Sequence, residues 1–186
     1  MDADTTLLKA VRRMNGDALA KLFDLYAPTL HNYALHFCNN ALLADNIVGD
    51  VFAKLLEKVS CGYGPRANLR SYLFETTYHL LVDEVRYSRR RLPLEVVDFL
   101  PCDANSAHIG FENRTLFETI SRAIRNDLTD YQRHVIILRF FEGFSMRETA
   151  AILGKSASHV KAAQNRAIVT LRKVLAYPMM ELVAIS

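Results

Sequence analysis

Between Phe144 and Lys173 the chain reads FSMRETAAILGKSASHVKAAQNRAIVTLRK. Within 155–173 it carries five basic residues, Lys155, Lys161, Arg166, Arg172 and Lys173, and no acid. Such a stripe can pair with nucleic-acid phosphates; a solvated helix face is the plain alternative. Gln164 and Asn165 stand among these cations, and their amides can pair bidentately with adenine, while Lys161 can reach guanine. A second group lies at 70–91, where Tyr72, Phe74, Tyr78 and Tyr87 alternate with Arg70, His79, Arg86, Arg89, Arg90 and Arg91. Aromatic rings beside cations can stack single-stranded bases while the cations hold phosphates. Taken singly, each ring is also an ordinary core residue. A third group is acidic: Asp45, Asp50 and Glu57 border the apolar stripe of 41–59 and can offer an edge to a basic partner.

Helices must position all three groups. Ser145 and Glu148 have the spacing of a capping box, in which the hydroxyl caps a free backbone N–H and the carboxylate reaches back. Gly154 can take the left-handed conformation that ends a short helix. Ser156 or Ser158 then caps the next one, with Val160, Ala163, Ala167, Leu171 and Val174 as its buried face. Two helices so joined form a helix-turn-helix, whose second helix enters the DNA major groove. The residues near its start are His159, Lys161, Ala162, Gln164 and Asn165. The ordinary alternative is a helical hairpin with a polar outer face.

Upstream, helical spacing runs over 4–14, 17–38, 41–59 and 68–91, with a kink or a fresh first turn expected at Pro28. CGYGPR at 61–66 reads as a loop. LPLEVVDFLPCDANSAHIG at 92–110 breaks the periodicity, with two prolines and no Lys or Arg. Periodicity resumes near 112, with breaks at 127–129 and Gly143. No stretch alternates apolar and polar residues for long, so no sheet is expected. The fold class is all-α, with two small helical domains at 1–91 and 113–176, a flexible acidic linker at 92–112 and an apolar tail at 177–186.

Composition narrows the function classes. The 186 residues are 51% hydrophobic and 23% charged, which argues against a disordered chain. No apolar run approaches the ~20 residues of a membrane span. The N-terminus is acidic before it is basic and lacks an apolar stretch, so no secretory signal is expected. Three cysteines without a CxxC fit a reducing cytoplasm. Residues 1–91 carry net charge +2, 92–112 carry −4 and 113–186 carry +5. Gly154-Lys155-Ser156 resembles the end of a phosphate-binding loop, but Thr149 stands where that loop needs glycine. No HExxH, CxxC or His pair at i, i+4 points to a metal, and His31, His36 and Cys38 do not share a helical face. Cys102 and His108 have no further ligands nearby in the sequence. No catalytic centre, metal or cofactor is expected.

At whole-chain level the sequence resembles the ECF (extracytoplasmic-function) sigma factors of bacterial RNA polymerase. ALLADNIVGDVFAKLLEKV resembles the signature of the family's first module. NLRSYLFETTYHLLVDEVRYSRRR resembles the helix that reads and opens the −10 promoter element. LTDYQRHVIILRFFEGFSMRETAAILGKSASHVKAAQNRAIVTLRK resembles the −35-binding module. The match covers about 20–176 in the family's order.

The resemblance implies roles. Asp45, Asn46, Asp50 and Phe52 would contact core polymerase. Arg70, Tyr72, Tyr78, His79, Arg86, Arg89 and Arg90 would bind and melt the −10 element. Ser158, His159, Lys161, Gln164, Asn165 and Arg166 would read the −35 element. The acidic linker would run through the polymerase's positively charged channels. Implied partners are core RNA polymerase and promoter DNA, with an anti-sigma protein as a further candidate and no membrane insertion. Asn46 stands where the family usually has an acid, Gly49 where it has Gln, His79 where many members have Asn, and Ala162-Ala163 where a polar pair is usual. From the residues alone, a stand-alone helix-turn-helix regulator with an N-terminal sensing or dimerisation domain stays open, as does a helical adaptor or enzyme.

Overall fold

The computed structural model describes residues 3–65, 67–91 and 111–184, with side chains over 6–65, 67–87 and 118–176. Among the described residues all regular structure is helical and there is no strand. The chain divides into two units, Met1–Cys102 and Asp103–Ser186.

The first unit holds α1 (Ala3–Arg12), α2 (Gly16–Cys38), α3 (Ala41–Ser60) and α4 (Leu69–Arg91). α2 packs along α3, α4 lies against both, and α1 closes one side. Leu22, Leu30, Tyr33, Val51, Leu55, Leu73 and Phe74 are fully buried. Each such side chain contributes about 1.5–3 kcal/mol through burial. The rings of Tyr33 and Phe74 meet at 5.4 Å and join α2 to α4.

Two asparagines make the joint between α2 and α3. Asn39 adopts the left-handed conformation (φ 50) and its N–H donates to the Leu35 carbonyl at 2.8 Å, which ends α2. The Asn40 side chain accepts from the Leu43 N–H at 3.0 Å, which starts α3. Asn tolerates the left-handed region and is among the best N-caps, so the pair sets where the acidic edge of α3 begins.

Of the two outcomes expected at Pro28, a fresh first turn does not occur: α2 runs through it as one helix. Proline removes one N–H and leaves the carbonyl four residues back without its helical partner. Here Asp24 and Pro28 both lie on the exposed face, where water can satisfy that carbonyl, while the opposite face stays packed.

Beyond α3, a Cβ on Gly64 would lie 2.5 Å from Val59 Cγ2 and 3.3 Å from Val59 Cα, so only glycine lets the loop rest on the helix end. Arg12 of α1 donates to the Pro65 carbonyl at 3.4 Å and ties the same loop down.

The second unit holds α5 (Phe111–Asp127), α6 (Asp130–Ile136), a π-helical turn (Ile137–Phe141) that continues α6, α7 (Met146–Ile152) and α8 (Ala157–Ala184). α8 packs on α5, α6 and α7. Ile124, Leu128, Ile136 and Ala167 form its core with Ile120, Ile168 and Leu171. Thr129 and Gln132 form a reciprocal capping box that starts α6. Two boundaries differ from expectation. α5 begins at Phe111, inside the span assigned to the linker, and the rest of that span, 92–110, lies outside the described residues. α8 runs on to Ala184 through the segment set apart as a tail.

Candidate nucleic-acid interface

The helix-turn-helix forms as its residues dictate. Ser145 Oγ accepts from the Glu148 N–H at 3.2 Å, and Glu148 Oε2 accepts from the Ser145 N–H at 2.8 Å. Gly154, at φ +60, ends α7. Ser156, the first of the two candidate caps, starts α8: its Oγ accepts from the His159 N–H at 3.3 Å and lies 3.1 Å from the Ser158 hydroxyl. Ala150, Ile152, Val160 and Ala163 are buried where the two helices meet.

This packing decides which side chains of α8 face outward. Ser158, His159, Lys161, Ala162, Asn165 and Arg166 are exposed, and Gln164 is half-buried. Arg139 Nε donates to Gln164 Oε1 at 3.1 Å, and Arg139 Nη1 donates to the Phe144 carbonyl. The His159 ring stands edge-on to Tyr131, with centroids 5.2 Å apart. Sequence reasoning did not single out Arg139, whose partner is 25 residues away along the chain.

Among the described residues of this unit, one titratable group has a large shift. His134 of α6 is 1% exposed. Burial, and then the charge of Arg133, push its pKa down to about 3, so the imidazole is neutral at physiological pH.

On the first unit, α4 carries the candidate −10 residues. His79 is exposed, with Nε2 4.0 Å from Glu75 Oε1, and its ring centroid lies 5.3 Å from that of Tyr78. Burial raises the Tyr78 hydroxyl above the ordinary tyrosine value, with Arg86 pulling the other way. Arg86 is exposed and lies 3.7 Å from Asp83. Arg70 sits over the Phe74 ring at 5.5 Å. Tyr72 is half-buried under Lys58, whose Nζ is 5.4 Å from the ring centroid, and among the described residues its hydroxyl oxygen is buried without a hydrogen-bond partner. The side chains of Arg89 and Arg90 lie outside the described residues. So α4 presents Tyr78, His79 and Arg86 within about two turns, while Phe74 is fully buried and Tyr72 lies half-buried against Lys58.

The acidic edge of α3 is exposed at Asp45, Asn46 and Asp50. Asp45 Oδ1 lies 3.3 Å from His31 Nε2. Phe52 is buried, with its ring 4.8 Å from that of the half-exposed Phe23, so Phe23 rather than Phe52 offers apolar surface there. A Cβ on Gly49 would meet nothing within 4 Å, so packing does not demand that glycine.

Among the described residues no three His, Cys, Asp or Glu side chains gather as a metal site, and no helix is long and apolar enough to cross a membrane. What remains is a helical chain with a capped helix-turn-helix in one unit and an aromatic, cationic helix in the other, the parts of a sigma factor. Comparison with known proteins agrees. A family model described as sigma-70 region 2 matches residues 22–91, and one described as sigma-70, region 4 matches residues 126–173. The chain is 27% identical over 173 residues to the ECF RNA polymerase sigma factor BldN of Streptomyces coelicolor, covering 91% of this chain and 64% of that one. It is 27% identical over 157 residues to the ECF RNA polymerase sigma factor SigX of Bacillus subtilis, covering 82% and 80%. It shares the fold of CnrH, solved in complex with the cytosolic domain of CnrY, with a TM-score of 0.71 at 23% identity over 95% of this chain and 99% of that one. The chain belongs to the sigma-70 family, among its ECF sigma factors.

Proposed function

We propose that the chain acts in the cytoplasm as the promoter-specificity subunit of RNA polymerase. In this reading the α3 edge at Asp45, Asn46 and Asp50 docks on core polymerase. Tyr78, His79 and Arg86 of α4, with Arg89 and Arg90, bind and open the −10 region, and the outer face of α8 reads the −35 duplex. The observation that carries the reading is the outer face of α8, acid-free up to Lys173 and held by a complete capping box and turn, in a chain whose other unit matches sigma-70 region 2. Opening the duplex needs no covalent chemistry: extruding a base costs a few kcal/mol, offset by contacts to the extruded base. The test is reconstitution with core polymerase on a mixed promoter library, followed by transcript sequencing. A sigma factor yields transcripts from a defined promoter class. A stand-alone regulator yields none and binds duplex DNA without polymerase.

Two substitutions divide the proposal into parts. Asp50→Lys places a cation on an edge assigned to a basic partner, so it should weaken core binding by about tenfold. Competition against a second sigma factor for core enzyme measures this, and an unaltered competition curve would place the contact elsewhere. His79→Asn should change which −10 base is accepted more than how tightly DNA is held. Neutral imidazole offers one donor and one acceptor on two ring nitrogens, whereas an amide offers two donors and a carbonyl. Promoters randomised over the −10 element, transcribed with both proteins, decide it, and identical preferences would assign His79 to the helix surface alone.

A further inference from the structure

The base-reading face of α8 follows from helix phase. Val160, Ala163 and Ala167 are fully buried and mark the inward side. Gln164 is four residues after Val160 and three before Ala167, so it shares that flank, and it is half-buried. Its carbonyl oxygen accepts from Arg139 Nε at 3.1 Å. The same guanidinium donates to the carbonyl of Phe144, the residue before the Ser145 cap. Arg139 therefore joins α8 to the segment that leads into α7.

Bidentate pairing with adenine needs both ends of an amide, with the oxygen accepting from N6 and the nitrogen donating to N7. An amide whose oxygen is turned toward Arg139 cannot present both ends outward. Asn165 is one residue further on, about 100° around the helix, and fully on the exposed face. Ala162 lies three residues before it on the same face, and Lys161 and Arg166 border them. Ala162 is small enough to let α8 approach closely, and a methyl group suits the thymine methyl.

We propose that Arg139 withdraws Gln164 from base reading, so that Gln164 is a positioning residue and the base preference of α8 is set by Asn165 at an adenine and by Ala162 at a thymine methyl. This deepens the −35 role proposed above and rests on it.

The test uses the full chain reconstituted with core polymerase on promoters randomised across the −35 element, with transcripts sequenced. Wild type should favour adenine at one position by roughly tenfold. Asn165→Ala should flatten that preference, and the residue is exposed, so the fold is not at risk. Gln164→Glu should leave all preferences unchanged, because a carboxylate still accepts from Arg139. If Gln164 read a base, the same variant would turn that position toward cytosine, whose N4 group donates to carboxylates. Gln164→Met and Arg139→Met should each lower output from all promoters alike, and the double variant should do no worse than either single. Circular dichroism checks folding; should the Met variants unfold, the Glu and Asn165 variants decide alone. A cytosine shift with Gln164→Glu, or adenine preference kept in Asn165→Ala, overturns the inference while the −35 role stands. No transcript from any promoter with wild type overturns the −35 role and the inference together.

Discussion

Replacing Lys161 and Arg166 together by Ala is expected to cut transcription from −35-dependent promoters at least tenfold while core binding stays intact. Both side chains are exposed on the outer face of α8, so their loss leaves the buried contacts of Val160, Ala163 and Ala167 in place. A hydrogen bond to a charged group is worth about 1.5–3 kcal/mol, which makes tenfold a lower bound for two contacts. Salt distinguishes phosphate contacts from base contacts. Each phosphate contact contributes about 0.9 to the slope of log affinity against log salt, so two lost contacts should flatten it by about 1.8. Measured promoter binding by holoenzyme at several salt concentrations gives the slope. Full promoter activity in the double variant would mean that α8 does not face the −35 duplex.

Acid should destabilise the second unit through His134, and the sign follows from its burial. The folded imidazole holds its proton only below about pH 3, whereas an unfolded one titrates near 6.5. Above 6.5 neither state is protonated and the residue costs nothing. Below 6.5 the unfolded state gains a proton that the folded state refuses, so stability falls as pH falls, until the folded group titrates near 3. Each pH unit in that window costs about 1.4 kcal/mol, or about 2 kcal/mol by pH 5. Against a typical domain stability of about 5–15 kcal/mol this is a large share. Thermal unfolding of the full chain at pH 7, 6 and 5 should show it. His134→Leu, which fills the same buried place without titrating, should lose most of the pH dependence. Equal dependence in both proteins would assign the acid sensitivity to other groups.

What could be read in advance was mostly local. Ser145 and Glu148 declare their cap by spacing, Gly154 its turn, and the i+4 stripe of 41–59 its helix, because these features depend on near neighbours in the chain. Thr129 and Gln132 have the same cap signal, and the sequence reading took the span only as a break. Gln164 and Phe52 have surroundings that only the tertiary structure supplies: one is half-buried beside Arg139 and the other lies buried against the tilted ring of Phe23. A residue type tells what chemistry is available, and the partner across the fold decides whether it is used.

The π-helical turn at Ile137–Phe141 makes chain length a control on how α8 is held. A π turn closes over one more residue than an α turn. Here it lies between the buried Val135 and Ile136 and the buried Phe144, and it carries Arg139. Removing one residue would restore α spacing, and each residue of an α-helix turns its successor by about 100°. Arg139 would then swing away from Gln164 and from the Phe144 carbonyl together. Deleting the exposed Phe140, which leaves every cation and every buried side chain in place, would therefore act like the loss of Arg139 itself.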